Sequence, residues 1–210
     1  MTNVANQIRA GLDELPFSTE EDLVDQLSAF IDRLVKWNKT FNLTAIRKAE
    51  DMVGQHLMDS LSIAPYLSGT RVLDVGSGAG LPGLPLAILY PDKNFILLDS
   101  NGKKTRFMTQ VVIDLGLANV QVVHARVEEY MERRFDHVLC RAFAPLSIIV
   151  QKIAHLISEN GTLLAMKGRI DEEAQLETGA PLRVDRVIPI HVPLVDGQRC
   201  LVELVVRDRS

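Results

Sequence analysis

From residue 70 onward, short apolar runs alternate with longer segments in which apolar residues recur at helical spacing. Five of the runs have the length and composition of strands: 71–75, 95–98, 120–123, 137–140 and 162–166. The segments 102–115 and 146–157, which lie between these runs, show the period expected of helices. Strands that alternate with helices are typical of a parallel sheet with helices on both faces.

The C-terminal part of the chain has a different pattern. Residues 184–192 and 200–206 are rich in β-forming residues, and Asp196-Gly197 between them is a dipeptide favoured in hairpin turns. We therefore predict an α/β fold with a mostly parallel seven-stranded sheet that ends in an antiparallel hairpin.

The N-terminal part shows helical periodicity. Ser18 and Glu21 have the spacing of a capping box in front of the apolar series that begins at Leu23. A second helical segment starts at Met52, and Pro65 is predicted to end it. We predict an N-terminal helical extension over residues 1–68 and a Rossmann-like domain over residues 69–210.

Composition restricts the possible classes of function. With 47% hydrophobic and 24% charged residues, the 210-residue chain has the composition of a globular protein rather than a disordered one. The net charge of -4 argues against a generally basic nucleic-acid binder, so any contact with phosphate needs a local patch. Cys140 and Cys200 are too few for a disulfide scaffold and fit a reducing cytoplasm. The apolar stretch 81–90 contains two prolines and is too short to span a bilayer, so we expect no membrane partner.

Basic residues in two segments could form such a local patch. Lys103, Lys104 and Arg106 open a predicted helix, and Arg199 lies in the predicted terminal hairpin. A solvated helix face is an equally good interpretation of the first three.

The strongest chemical signal is the segment 72–80, with the sequence VLDVGSGAG. A buried strand leads into a turn with glycine at alternate positions, Gly76, Gly78 and Gly80, where missing side chains let a ligand approach the backbone. Asp99 ends the next predicted strand, and a carboxylate there can accept hydrogen bonds from ribose hydroxyls. The pattern predicts a nucleoside-containing cofactor.

Two common nucleotide motifs do not match. A dinucleotide fingerprint needs glycine at the position that Leu81 occupies, and a P-loop needs glycine where the chain has Leu97. The pattern Asp-x-Gly-x-Gly-x-Gly from Asp74 resembles instead the S-adenosylmethionine site of Rossmann-like methyltransferases. The alternative is a glycine turn that only packs a helix against the sheet.

Further segments match one family in order along the chain. They are WNKTFNLTAIR at 37–47, HLMDSL at 56–61, residues 74–85, LLDS at 97–100 with Lys103, Arg106 and Phe107, RVEE at 126–129, CRAFA at 140–144 and KG at 167–168. With these segments the chain resembles the ribosomal RNA small subunit methyltransferase G family, also called glucose-inhibited division protein B, from about residue 20 to the C terminus. The combination is far more specific than the glycine motif alone.

The resemblance implies a bacterial, cytoplasmic class I methyltransferase that uses S-adenosylmethionine. Its implied reaction is methylation at N7 of guanine-527 (rRNA numbering) in 16S rRNA. The sequence leaves open whether the substrate is naked rRNA, the small ribosomal subunit or an assembly intermediate. We expect a monomer.

The resemblance also implies roles for individual residues. Gly76 and Leu81 are expected to contact the methionine and adenosine moieties, and Val127 and Glu128 are expected to flank the adenine. Arg141 is expected at the edge of the cofactor pocket, facing the substrate. We count Gly78, Gly80 and Asp99 as further cofactor-binding candidates because of their places after the first and second strands.

Two basic residues are candidates for the reaction itself. Arg141 follows an apolar strand, and its guanidinium can bind the cofactor carboxylate or an RNA phosphate through two hydrogen bonds. Lys167 follows the fifth strand and could neutralise a phosphate or orient the base. The alternatives are a salt bridge to a nearby acid for Arg141 and simple solvation for Lys167. His56 and Asp59 lie about one helical turn apart and could face the same cleft.

The implied reaction requires few catalytic groups from the protein. Guanine N7 has a lone pair and no proton, so it can attack a sulfonium methyl group without a general base, a metal or a covalent nucleophile. We therefore expect no metal ligands. The Asn/Asp-Pro-Pro-aromatic motif of amine methylation does not follow the fourth strand. The alternatives are a methyltransferase with another RNA, protein or small-molecule acceptor, a dinucleotide-binding oxidoreductase, and a non-catalytic RNA-binding module.

Overall fold

A seven-stranded sheet organises the part of the chain that the computed structural model describes, residues 2–132, 134–141, 145–168 and 179–207. The strands are β1 Arg71–Val75, β2 Asn94–Asp99, β3 Val120–His124, β4 Phe135–Arg141, β5 Ile157–Lys167, β6 Leu182–Ile190 and β7 Arg199–Val206. Their order is β3-β2-β1-β4-β5-β7-β6. The first five strands pair in parallel, and β7 pairs antiparallel with both β5 and β6. The predicted fold is confirmed, including the C-terminal hairpin.

The burial of each strand explains its sequence pattern. In β1, which lies between two parallel neighbours, the four residues from Val72 to Val75 are all buried. A strand covered on both faces usually has a continuous run of apolar residues. Asp74 is the one charged residue in the buried run of β1. β6 forms one edge of the sheet and includes Pro189, which an edge strand tolerates because it has one unpaired side.

The described helices lie before and between the strands. They are α1 Thr2–Asp13, α2 Glu21–Phe41, α3 Ala49–Met52, α4 Asp59–Leu61, α5 Gly83–Leu89, α6 Gly102–Leu115 and α7 Leu146–Ile153. The predicted α6 is confirmed, with an Asn101 side-chain cap and Gly116 in the left-handed conformation at its end. α7 is shorter than predicted, because a 3-10 turn follows it and Ile157 already belongs to β5. Among the described residues, no helix is long and apolar enough to cross a membrane.

The predicted capping box at the start of α2 is wrong. The helix begins at Glu21 with Glu20 as its N-cap, and no side chain caps it. The Ser18 hydroxyl donates instead to the Glu20 carboxylate at 3.2 Å. In a capping box, the side chain of the N-cap residue accepts a backbone hydrogen bond from the first turn. Ser18 lies before the N-cap and therefore cannot fill this role.

The second predicted helical segment contains an unexpected π-helix. Residues Val53–Met58 form it between α3 and α4, and the Asp59 amide bonds to the carbonyl of Gly54. Pro65 lies in a 3-10 turn after α4, so the helix ends before the proline as predicted. Gly54 packs so closely on the β6–β7 connection that an added Cβ would lie 2.9 Å from the Leu194 carbonyl oxygen.

Apolar side chains cover both faces of the sheet. One cluster joins the N-terminal helices to the sheet, with Ile8, Phe30 and Leu57 alongside Phe107 of α6. The other cluster lies on the opposite face and includes Ile149 of α7. Burying a side chain of this size stabilises the fold by roughly 1.5–3 kcal/mol, so the N-terminal helices are held firmly against the sheet. The division at residue 68 into two units stays a prediction.

Gly83 at the start of α5 marks a very close approach of a helix to the sheet. An added Cβ would lie 2.2 Å from Leu97 Cδ2 and 2.8 Å from Asp74 Oδ2. We expect Gly83→Ala to lower the free energy of unfolding by about 1–3 kcal/mol, because an overfilled core must shift its neighbours. Urea denaturation measures the effect. Gly102→Ala is the matched control, since its Cβ meets only His124, at 3.4 Å or more. An unchanged midpoint for Gly83→Ala would contradict the prediction.

Candidate active site

The glycine turn after β1 is tied to the end of β2. The amides of Gly76 and Ser77 both donate to the carbonyl of Leu98, at 2.8 and 3.2 Å. Gly76, Gly78 and Gly80 have φ angles of 67°, 62° and 75°. At Gly78 this left-handed backbone combines with open space, because an added Cβ would meet only Gly76 O and Lys104 Nζ, both at 3.8 Å. The turn therefore presents bare backbone to a cleft.

Asp99 braces this turn from the end of β2. Its Oδ2 accepts a hydrogen bond from the Gly78 amide at 2.8 Å, and its Oδ1 accepts one from the Asn101 amide at 2.8 Å. Lys104 Nζ lies 3.8 Å from Oδ2. A carboxylate has about four lone-pair sites, so Asp99 can brace the backbone and still accept hydrogen bonds from ribose hydroxyls.

A cleft of about 570 Å³ lies beside the turn, within the range of sites for small ligands. Most of the predicted cofactor residues line it, namely Gly76, Gly78, Leu81, Asp99, Val127, Glu128 and Arg141. Gly80 does not line the cleft; an added Cβ there would lie 2.2 Å from Leu84 Cδ1. The alternative considered for the whole turn, a glycine that only packs a helix against the sheet, therefore applies to Gly80.

The cleft fits S-adenosylmethionine by the chemistry of its walls. Leu98, Ala125 and Val127 provide apolar surface for an adenine ring, and Asp99 provides acceptors for ribose hydroxyls. The bare backbone at Gly78 gives a charged amino-acid end close access to main-chain groups. Glu128 is held at the rim by Lys152 at 2.6 Å, and this hydrogen bond lowers the pKa of the Glu128 carboxyl below its ordinary value.

A second cavity of about 370 Å³ adjoins the first. It is lined by the π-helix, α4 and the following Ser62 and Ile63 on one side, and by the ends of β5, β6 and β7 on the other, including Lys167 and Ile190. His56 and Arg141 line both cavities. They form the boundary, here called the wall, that the cofactor cleft shares with the second cavity, which is large enough for a nucleobase. Lys167, predicted as catalytic, therefore lies in the second cavity rather than in the cofactor cleft.

Asp59 holds two arginines at this wall. Arg141 Nη1 donates to Asp59 Oδ2 at 3.0 Å, and Arg199 Nε donates to Asp59 Oδ1 at 3.3 Å. The Asp59 side chain is 11% exposed. The salt bridge considered as an alternative for Arg141 does form, and it holds the guanidinium at the cleft. Arg199 is held here as well, rather than in a basic patch with the lysines that open α6.

His56 is neutral at this position. Its Nε2 lies 2.7 Å from the Thr44 hydroxyl, and its Nδ1 lies 3.1 Å from the Gln55 carbonyl oxygen. Burial, together with the positive charge of Arg141, lowers the pKa of His56 from 6.5 to about 4. The ring therefore adds no second positive charge to the wall at neutral pH. Thr44 was not among our candidates, although it lies in the WNKTFNLTAIR segment.

Asp74 is fully buried under the glycine turn. Its Oδ2 accepts from the Gly83 amide at 3.0 Å, while Oδ1 has no hydrogen-bond partner in the described part of the chain. Burial raises the pKa of Asp74 to about 7. Because the amide it binds is that of Gly83, Asp74 anchors α5 to the turn, a role that the motif alone did not indicate.

Several remaining predictions can be placed. Cys140 and Cys200 are buried, as predicted, and burial raises the pKa of the Cys140 thiol to about 12. Residues 142–144 of the CRAFA segment lie outside the described residues. Among the described residues, no cluster of three His, Cys, Asp or Glu side chains could hold a metal ion.

Comparison with known proteins decides the family. The model of the rRNA small subunit methyltransferase G family matches residues 23–202. The chain belongs to this family. It is 48% identical to the ribosomal RNA small subunit methyltransferase G of Chromobacterium violaceum, with 99% of this chain and 100% of that relative covered. It is 47% identical to the one of Pseudomonas aeruginosa, with 95% and 94% covered. Membership of the methyltransferase G family confirms the resemblance and, with it, S-adenosylmethionine as the cofactor.

Solved structures agree on the fold. The mitomycin 7-O-methyltransferase MmcR superposes with a TM-score of 0.63 at 16% identity, covering 89% of this chain and 67% of that one. A SAM dependent methyltransferase from Aquifex aeolicus superposes with a TM-score of 0.55 at 18% identity, covering 75% and 93%. This member of the methyltransferase G family therefore has the predicted class I methyltransferase fold.

Gly78 provides a test of the cofactor cleft. We expect Gly78→Ala to weaken S-adenosylmethionine binding at least about tenfold, because a methyl group would occupy space beside the bare backbone. Isothermal titration calorimetry measures the dissociation constant. Gly116→Ala is the matched control, since Gly116 has nearly the same φ, 64°, and nothing within 4 Å of an added Cβ. Both variants carry the same backbone strain, so equal affinity in the two would contradict the site.

Proposed function

We propose that this protein methylates N7 of guanine-527 (rRNA numbering) in 16S rRNA by direct, in-line methyl transfer. The observation that carries the proposal is the wall that His56 and Arg141 form between the cofactor cleft and the second cavity. A donor and an acceptor bound on its two sides would be neighbours. The family supplies the class of acceptor, since it is that of the rRNA small subunit methyltransferase G.

The side chains at the wall suit an acceptor atom that has no proton to lose. His56 has a pKa of about 4 and is a weak base, and Asp59 is held by two arginines. Methylation of an exocyclic amine releases a proton, which a base near neutral pKa would take up, whereas N7 attacks through its lone pair. These properties support N7 over an amine as the acceptor.

The chain's own contribution is then positioning. Bound S-adenosylmethionine would supply a methyl group on a positively charged sulfur. Asp99, Val127 and the backbone at Gly78 would orient the cofactor, while Arg141 would hold the substrate side of the wall. Such alignment of reacting atoms can supply a large part of the rate enhancement without any covalent step.

Lys167 and Arg199 suit contact with RNA in or beside the second cavity. Residues 1–68, the predicted helical extension, contribute Gln55, His56 and Asp59 to that cavity. We propose that the substrate is 16S rRNA, either free or in the small subunit or its assembly intermediate, and that the enzyme acts in the cytoplasm as a monomer.

Methyl transfer from labelled S-adenosylmethionine tests the proposal. The substrates are small subunits and purified 16S rRNA from cells that lack this methylation. Chemical cleavage at N7-methylguanine maps the product, and we expect a single cleavage at guanine-527. Label at another nucleotide, or no label despite tight cofactor binding, would replace the proposal with a different acceptor.

Arg141→Lys tests the role of the guanidinium. The lysine keeps the positive charge but loses the planar fork that bonds to Asp59 and faces both cavities. We expect kcat/KM to fall roughly 10- to 100-fold, the effect of losing a charged hydrogen bond. The matched control is Arg186→Lys, which alters an exposed ion pair with Glu203 on β6 and β7. Normal turnover by Arg141→Lys would remove this residue from the reaction.

A further inference from the structure

The second cavity presents a hydrogen-bond donor and an acceptor side by side. Arg141 Nη1 is bonded to Asp59 Oδ2 at 3.0 Å, and both side chains line the cavity. Each Asp59 oxygen accepts one hydrogen bond from an arginine, Oδ2 from Arg141 and Oδ1 from Arg199. Because a carboxylate has about four lone-pair sites, Asp59 retains acceptor capacity toward the cavity.

We propose that the second cavity binds the target base and that the Arg141–Asp59 pair selects guanine. Arg141 donates to guanine O6, and Asp59 accepts from N1–H and the exocyclic 2-amino group. The inference rests on the proposed function and adds to it the residues that recognise the base. Adenine has the reverse order, a donor at N6 beside an acceptor at N1, so the same pair opposes adenine.

The same arrangement directs N7 toward the methyl donor. O6 and N7 are neighbouring acceptors on one edge of guanine. Arg141 lines both cavities, so a base whose O6 faces this side chain has N7 next to the wall shared with the cofactor cleft. Recognition of the base and placement of the reacting atom therefore depend on one guanidinium.

The size and walls of the cavity suit a base rotated out of its RNA stack. Ile63, Met166 and Ile190 provide apolar surface for the faces of the ring, in a volume of about 370 Å³. Enzymes that modify bases commonly read an extruded base by hydrogen bonds to its Watson–Crick edge and apolar contacts with its faces. The Asp59 side chain is largely buried, so its hydrogen bonds to the base would be shielded from water.

Asp59 also contributes to the rate by this arrangement. As the N7–methyl bond forms and the sulfur–methyl bond breaks, positive charge moves from the sulfonium onto the guanine ring. The ring then holds its N1 proton more weakly, so N1–H becomes a stronger donor to the Asp59 carboxylate. An interaction that strengthens toward the transition state raises kcat as well as affinity.

Replacing the target guanine by inosine tests the assignment. Inosine keeps O6, N1–H and N7 and lacks only the 2-amino group. Small subunits reconstituted with ligated 16S rRNA carry either base, and kcat and KM are measured for the wild type and Asp59→Asn. We expect the wild type to methylate inosine with a kcat/KM roughly 10- to 100-fold lower, since a hydrogen bond to a charged group is lost. Asp59→Asn should lower kcat/KM on guanine by a similar factor and no longer distinguish the two bases.

The controls separate recognition from folding. Asp185→Asn alters an exposed carboxylate paired with Arg183 at 2.8 Å and should leave the preference for guanine intact. S-adenosylmethionine affinity and the thermal midpoint report whether Asp59→Asn is folded. If that variant does not fold, the wild-type comparison of the two bases alone decides.

Two results would overturn the inference. The first is equal kcat/KM for guanine and inosine with the wild type. The second is a folded Asp59→Asn that keeps the full preference for guanine. Failure of the proposed function gives a different result from failure of this inference. If the proposed function is wrong, the wild type transfers no methyl group even to the subunits that contain guanine.

Discussion

The ion pairs of Asp59 with Arg141 and Arg199 are the interaction on which the arrangement of the site depends. They join α4 to the end of β4 and the start of β7, side chains that are 82 and 140 residues apart in sequence. Removing one partner of such a partly buried pair is destabilising, because the remaining charge lacks compensation. The pairs stabilise the position of the N-terminal helices relative to the sheet and therefore determine the shape of both cavities.

One carboxylate shared by two arginines leaves a net positive charge at the wall. The neutral state of His56 limits that charge, since burial and Arg141 hold its pKa at about 4. A charged imidazole here would repel both the guanidinium and a positively charged sulfonium. The neutral ring instead bridges the Thr44 hydroxyl and the π-helix backbone. Gln55 and His56 of the π-helix line the second cavity together with Asp59, which begins α4.

Hydrophobic patterning predicted the strands well because a parallel strand buried on both faces is an apolar run whatever its neighbours are. The order of the strands was not predictable in the same way. Nothing in the period of β7 shows that it lies between β5 and β6. The π-helix was also missed, since apolar spacing over one turn does not distinguish bonding to the fourth residue from bonding to the fifth.

The site was predicted in part for similar reasons. The glycine turn and Asp99 were found because their motif and strand position are local in sequence. Gly78 faces the cleft and Gly80 packs on Leu84, and only the structure distinguishes these two roles. So did the partnership of Asp59 with Arg199, because side chains that act together across 140 residues leave no periodic signal.

The net charge of -4 and the proposed RNA substrate are compatible once distance is considered. At physiological salt, charges more than about 8 Å from a phosphate are largely screened. Two acidic residues, Glu21 and Asp22, lie in the first turn of α2, whereas Arg141, Lys167 and Arg199 line the second cavity. A phosphate beside the target base would therefore respond to the local cations and hardly at all to the overall charge. Overall acidity also disfavours binding to RNA in general, which leaves recognition to the one place where cofactor, base and arginines meet.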